Sequence, residues 1–246
     1  MVNEKLKGEM KPDQVTYDQL KILEKRLDTE KFNLLDFGSG GGKFLLLARK
    51  YFKHVAGIEI TPASVSFAQS NGLKIYSEVQ PKGFDVITFW HSLEHLPYET
   101  LIKVLEDIKL SSINFVVLSV PNAQSLTLKY FGDFDAFVDE PNHTFIFSKK
   151  LLIELFLEKN FHLSDSPVIK AYNSFGIVQS SINFVTQTKN QLYYILKRGY
   201  PIKDIKILRH ILLSPVYFTV SILLTIISSL KTDRDSVTNL VFERIE

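Results

Sequence analysis

The sequence predicts an α/β protein: a doubly wound, mostly parallel, seven-stranded sheet with helices on both faces, followed by a C-terminal helical cap. Three observations predict it. Short apolar runs alternate with stretches of helical spacing from residue 17 to residue 120, the pattern of a parallel sheet with right-handed crossovers. A glycine loop, GSGGGK, follows the first apolar run directly. The closing stretch SVTNLVFERI reads as one more strand after a long helical region.

The elements follow in order. Leu20, Leu23 and Leu27 lie at helical spacing, so residues 17–27 are expected to be a helix. Residues 32–37 form a short buried strand that runs into the glycine loop, and 43–51 a helix leaving it. Residues 54–60 are the second strand; Thr61 caps a helix over 62–71 with Pro62 at its first position. Strands are expected over 73–79, 84–90 and 113–120, with a helix over 98–110. Residues 123–147 are irregular, aromatic and acidic, which suits a lid or substrate loop. Ser148 caps a helix reaching residue 159, a sixth strand covers 161–168, residues 176–198 are helical, and 236–245 form the last strand. The expected organisation is a ligand-binding core over 1–170 containing the lid, a helical cap over 171–231, and a final strand within 232–246 that rejoins the core.

Composition bounds the function. A chain of 246 residues with 45% hydrophobic residues can bury one large core, with room for an appendage. A net charge of +2 argues against a nucleic-acid partner. There is no cysteine, which excludes disulfides, thiolate catalysis and cysteine-held zinc. The first residues, MVNEKLKGEMKPDQ, have no apolar signal region, so the cytoplasm is the expected compartment.

The glycine loop implies a ligand, and spacing selects among ligands. A phosphate-binding loop of the GxxxxGK[ST] kind would place its first glycine on Phe37 and its hydroxyl residue on Phe44. A dinucleotide GxGxxG begun at Gly38 meets Lys43 at its third glycine, and begun at Gly40 it meets Leu45. The pattern that fits is Asp-x-Gly-x-Gly-x-Gly, on Asp36, Gly38, Gly40 and Gly42. Asp36 repels a phosphate but serves an ammonium or sulfonium group. The amides that open the next helix suit a carboxylate. Glu59, ending the second strand, can accept both hydroxyls of a ribose. Together these groups describe S-adenosylmethionine (SAM).

The stretches LLDFGSGGGKFL, GIEI and FDVITFWHSLEHLP resemble the class I SAM-dependent methyltransferases. More narrowly, the chain resembles the branch related to ubiquinone-biosynthesis methyltransferases, often found among bacterial surface-polysaccharide genes. VPNAQS, DEPNHTFIFS and YNSFGIVQSSIN carry the likeness through most of residues 15–246. It implies a Rossmann-like core with SAM as cofactor, bound by the loop including Ser39 (where the family usually has cysteine), by Glu59 and Ile60, and by Glu78 at the adenine edge. It also places His91 and Leu93 beside the cofactor, with Glu94, His95 and Leu96 closing the turn behind them.

His91-Ser92-Leu93-Glu94-His95 also spells the HxxEH of an inverted zinc peptidase, which needs both histidines on one helix. His91 is expected at the mouth of a strand instead, so no metal is assigned. Methyl transfer from a sulfonium needs proximity and orientation above all. It needs a base only where the acceptor holds its proton tightly. His143 is the first candidate for that base and His91 the second, with Asp139 or Glu140 as groups that would orient His143.

Residues 211–230 carry no charge, and Lys197, Arg198, Lys203, Lys206 and Arg209 precede them. A spanning helix would strand the last strand on the far side of a bilayer. The segment 205–230 is therefore expected to lie in a membrane interface as a helix or bent hairpin. The alternative is burial in a homodimer interface or on the protein's own core. The functional expectation is O-methylation of a small or lipid-linked acceptor. A non-catalytic SAM-binding scaffold and an NAD-type oxidoreductase are the rival readings.

Overall fold

The structure is a computed structural model describing residues 11–78, 81–138, 142–190, 193–194, 204–229 and 234–245; in 204–211 and 227–229 it describes the backbone alone. Its centre is a seven-stranded sheet of order β3-β2-β1-β4-β5-β7-β6. The strands are β1 (Asn33–Phe37), β2 (His54–Ile58), β3 (Ile75–Tyr76), β4 (Val86–Trp90), β5 (Phe115–Pro121), β6 (Phe161–Asp165) and β7 (Val237–Arg244). The first five pair in parallel, and β6 runs antiparallel to β7. The closing strand thus inserts between β5 and β6, as a final strand after a long excursion must if it is to be covered on both edges.

Helices α1 (Gln14–Glu24), α2 (Lys43–Ala48), α3 (Pro62–Ser70), α4 (Tyr98–Lys109), α5 (Leu126–Phe131), α6 (Lys149–Leu157), α7 (Lys170–Thr186) and α8 (Asp204–Ser229) complete the described elements. The chain divides into two compact units. One comprises residues 1–120, 150–169 and 239–246, the other 121–149 and 170–238.

In the first unit the central strands are apolar almost throughout, with Leu34, Leu35, Ile87, Phe89, Val116 and Leu118 wholly buried. That is the expected pattern for strands covered on both faces. Phe156 of α6 stacks on Phe242 of β7 at 4.5 Å between ring centroids. Arg244 lies over the Phe161 ring at 4.6 Å and donates to the carbonyls of Ile108, Lys109, Ser111 and Ile113. Ile108 and Lys109 close the last turn of α4, so a β7 side chain helps to cap that helix.

Helix α1 begins earlier than the leucine spacing alone suggested. Asp13 caps it, accepting the Thr16 amide at 3.0 Å and the Thr16 hydroxyl at 2.8 Å. Strand β3 is shorter than expected, and Val79 falls outside the described residues.

In the second unit the expected irregular lid over 123–147 holds a helix, α5. Ser125 caps it by accepting the Leu128 amide at 3.0 Å, and a 3-10 turn over Gly132–Phe134 follows. Helix α7 starts at Lys170 rather than near Gly176 and ends at Thr186; residues 191–192 and 195–198 of the expected helix lie outside the described residues. Helix α8 packs against α7. It is a single helix through Pro215, not a bent hairpin. Tyr217, Ser221 and Leu224 are buried along one stripe, and Leu224 meets Phe131 and Ile177. Leu212, Phe218, Ile222, Leu223 and Ile226 on its remaining surface are exposed. Among the described residues no helix is long and apolar enough to cross a membrane.

Candidate active site

The glycine loop is built by backbone geometry. Gly38, Gly40 and Gly42 have φ of 73°, 53° and 83°, the left-handed region that other residues enter at a cost. The Gly38 and Ser39 amides donate to the Ile58 carbonyl at 2.9 and 3.0 Å, folding the loop over the end of β2. Gly42 starts α2, and a Cβ there would run into Leu73. Gly57 on β2, outside the loop motif, is also held to glycine because the Ser39 side chain sits against it.

Asp36 is 3% exposed, on β1 opposite Thr88 of β4, whose hydroxyl donates to it at 2.7 Å. Burial raises its pKa from 3.8 to about 7, the Thr88 hydrogen bond opposing and the Glu59 charge assisting. A carboxylate held this way gains from a cation placed beside it. Asp36, Gly38, Ser39, Lys43 and Trp90 line a pocket of about 200 Å³ together with Asp13, Thr16 and Gln19 of the α1 region. Lys43 bridges to Asp13 at 2.6 Å. Burial works against ionisation of Asp13, but the Lys43 and Thr16 hydrogen bonds outweigh it and set the pKa at about 2. Sequence reasoning missed this α1 contribution. The signal was Asp13 as a cap before an apolar-periodic run.

Glu59 is occupied by its own backbone surroundings. Its Oε2 accepts the Gly40 amide at 2.9 Å, and its Oε1 accepts the Ile60 and Thr61 amides at 2.8 and 2.7 Å. A carboxylate has about four lone-pair positions, so a ribose hydroxyl would share or displace these bonds. Ile60 is 79% exposed, Glu78 is exposed just beyond β3, and Leu93 is buried at 1% exposure.

His91 ends β4 with φ of 54°, an uncommon conformation for a residue other than glycine. Its amide donates to the Ser119 carbonyl at 2.9 Å, and its Nδ1 lies 3.2 Å from Glu94 Oε1. Glu94 has no exposed surface. Glu94, expected to close the turn, also holds the His91 ring in place. His91 lies outside the 3-10 turn Leu93–His95, and its positive φ turns the chain at the strand end, where Glu94 comes within reach of its ring. Because His91 precedes the turn, the single helix that a zinc-peptidase HxxEH requires is not formed.

His143 belongs to the second unit and is half-buried, its Nδ1 2.7 Å from the Phe137 carbonyl. A carbonyl only accepts, so Nδ1 carries the proton of the neutral ring and Nε2 keeps the lone pair. Asp139 and Glu140 lie outside the described residues.

A doubly wound sheet with a glycine loop at the end of β1 and an acid at the end of β2 defines a nucleotide-cofactor-binding α/β protein. The methyltransferase domain family matches residues 11–165, and the chain belongs to that family. Among solved structures it is similar to a SAM-dependent methyltransferase from Archaeoglobus fulgidus, with 16% identity, 98% of this chain and 97% of that one covered, and a TM-score of 0.55. A putative sarcosine dimethylglycine methyltransferase from Galdieria sulphuraria shares 10% identity over 94% of this chain and 84% of that one, with a TM-score of 0.57. The magnesium protoporphyrin IX methyltransferase of Synechocystis PCC 6803 with bound SAH shares 14% identity over 63% and 75%, with a TM-score of 0.52. No curated protein sequence matches the chain.

The residues present fit SAM. Asp36 suits its ammonium group, Lys43 its carboxylate, and the left-handed glycines leave the loop backbone bare. The Ser39 hydroxyl and the Trp90 indole N–H are buried without a partner among the described residues, as donors for a ligand would be. Family, fold and donor set together make the protein a SAM-dependent methyltransferase.

Proposed function

We propose that the protein O-methylates a small or lipid-linked acceptor and works against a membrane surface. The observation that carries the chemistry is Asp36, buried beside a loop of bare glycines with its pKa at about 7. In this reading Asp36 and Lys43 hold the methionine moiety of SAM, and the loop amides with Ser39 seat it. Glu59 and Ile60 meet the ribose, Glu78 the adenine edge, and His91 and Leu93 border the cofactor. SAM supplies an activated methyl group, so the protein's task is to orient the acceptor oxygen in line and exclude water. His143, with its proton fixed on Nδ1, is the base for an acceptor that must lose a proton; His91, oriented by Glu94, is the second candidate.

The exposed apolar side of α8 supports the membrane part. Phe218, Ile222 and Ile226 are each more than half exposed, and Lys206 and Arg209 stand in the helix's first turns. Apolar side chains beside basic residues suit an anionic lipid surface. In this reading 171–231 is the helical cap that brings the acceptor to the core, with 205–230 as its lipid-facing part.

The test is transfer of radiolabelled methyl from SAM into whole-cell extract, followed by solvent partition, for wild type and Glu59→Ala. Label in the organic phase, lost in the variant, is expected. Label in water alone would remove the membrane part, and no label would favour a non-catalytic SAM-binding scaffold. Independently, Phe218→Ser combined with Ile222→Ser should abolish co-sedimentation with anionic vesicles while changing stability by less than about 0.5 kcal/mol for each substitution, as exposed sites do.

A further inference from the structure

Helices α7 and α8 of the second unit place their side chains in the reverse of the order that water demands. On α7 the buried residues include Gln179, Ser180, Ser181, Asn183 and Thr186, while Phe175 and Phe184 are exposed. On α8 Ser221 is buried along with Tyr217 and Leu224, while Leu212, Val216, Phe218, Ile222, Leu223 and Ile226 are each at least half exposed. Residues 171–188 and 211–230 include no charged residue. A helix that meets water on one side carries charged and polar groups there.

The polar groups of the pair are satisfied without solvent. Thr219, Ser221 and Thr225 donate to the carbonyls of Pro215, Tyr217 and Ser221 at 2.8, 2.7 and 2.8 Å. Ser181 and Thr186 on α7 donate to the carbonyls of Ile177 and Ile182 at 2.7 and 2.6 Å. Each of these hydroxyls bonds its own helix four residues back. Pro215 removes an N–H from the ladder yet sits inside unbroken α8, as helices in hydrocarbon tolerate it.

The width of the apolar surface separates lipid from a second copy of the chain. At about 100° per residue the six exposed side chains of α8 span an arc of about 160°. Thr219 falls within that arc with its hydroxyl already bonded. The seam between two helices is narrower than about 100°, whereas fluid acyl chains cover any width. No described helix is long and apolar enough to cross a membrane, so α8 would enter one leaflet from its side.

We propose that α7 and α8 are an inside-out pair that sinks the exposed arc of α8 into the acyl layer of one membrane leaflet. Burial of hydrocarbon, rather than headgroup charge, then holds the protein there. This rests on the membrane part of the reading above and adds to it the occupant of the face and the force that keeps it in place.

The chain has no cysteine, so the experiment introduces single ones, Phe218→Cys and Leu223→Cys, about 140° apart on the helix. Each full-length variant carries an environment-sensitive fluorophore and has its melting temperature measured. Val216→Cys replaces either one whose label lowers it. The probes are phosphatidylcholine–phosphatidylglycerol vesicles with nitroxide quenchers on the acyl chains or on the headgroups. Both labels should lose access to aqueous iodide by at least about fivefold on binding and be quenched more strongly from the acyl chains. Vesicle partitioning should fall less than about twofold at about 1 M salt, where charges are screened beyond about 3 Å. Binding lost at that salt, with both labels open to iodide, would keep the membrane surface and overturn the insertion alone. Shielding of one label only, or shielding that grows with protein concentration in the absence of vesicles, would give the arc to a second copy and overturn it too. A chain that binds no vesicles loses the membrane reading and this inference together.

Discussion

Asp36 and Asp135 are each 3% exposed, and in each burial pushes the carboxyl pKa up. Their surroundings differ. Asp36 lies in a strand whose neighbours on both sides are backbone-paired, and its partner Thr88 and the pocket residues Gly38 and Lys43 follow from sheet register and a five-residue loop. Asp135 lies after a 3-10 turn, and the residues around it come from positions as distant as 121 and 236. One carboxylate is placed by local chain geometry, the other by an assembly of segments. A cofactor used by many proteins can be held by a portable loop of the first kind.

The largest test of the comparison is pH. Because the folded pKa of Asp36 lies above its ordinary 3.8, at about 7, its contribution to stability is fully present below 3.8 and is lost as pH rises through 7. The loss is on the order of 4 kcal/mol. Urea unfolding without SAM should show wild type losing stability relative to Asp36→Asn across that window. A parallel pair of curves would mean that Asp36 is not buried as described. The same measurement on Asp135→Asn should show a slope of the same sign.

Next come the two crowded glycines. Gly42→Ala must enter the left-handed region and displace Leu73, at about 2–3 kcal/mol, and should weaken SAM binding. Gly176→Ala, inside α7 against Ser236 and Phe137, gains helix propensity while straining that contact. It should cost about 1 kcal/mol and leave SAM affinity unchanged. Equal effects of both on SAM affinity would dissolve the functional distinction between the two units. The remaining expected effect is on turnover: Glu94→Gln, which loosens His91, should slow transfer about threefold, or about 0.7 kcal/mol, without changing SAM affinity. An unchanged rate would leave the proton to His143.

What could be read from the sequence was whatever depends on neighbours along the chain. Asp36, Gly38, Gly40 and Gly42 are legible because positive φ and a strand end demand those residue types at that spacing. The alternation of apolar runs likewise carried the parallel sheet and the strand at its end. Asp13 was legible in principle as a cap, but the leucine spacing drew the helix start past it. The Glu94 to His91 contact was hidden because it depends on a positive φ at His91, which nothing in the residue types at that strand end announces. Helix α5 was hidden because LTLKYF is too short to show a period.

By itself, then, the sequence determined the class of fold, the cofactor loop and the apolar character of α8, since each rests on local backbone geometry or on side-chain periodicity. Only the tertiary structure decided that α8 runs unbroken through Pro215 with one stripe buried on α7, that Lys43 reaches Asp13, and that Asp135 is buried among segments distant in the chain. Those outcomes depend on which segments meet. Such meetings are selected by burial of apolar area, which is non-directional and leaves no spacing to read in the chain.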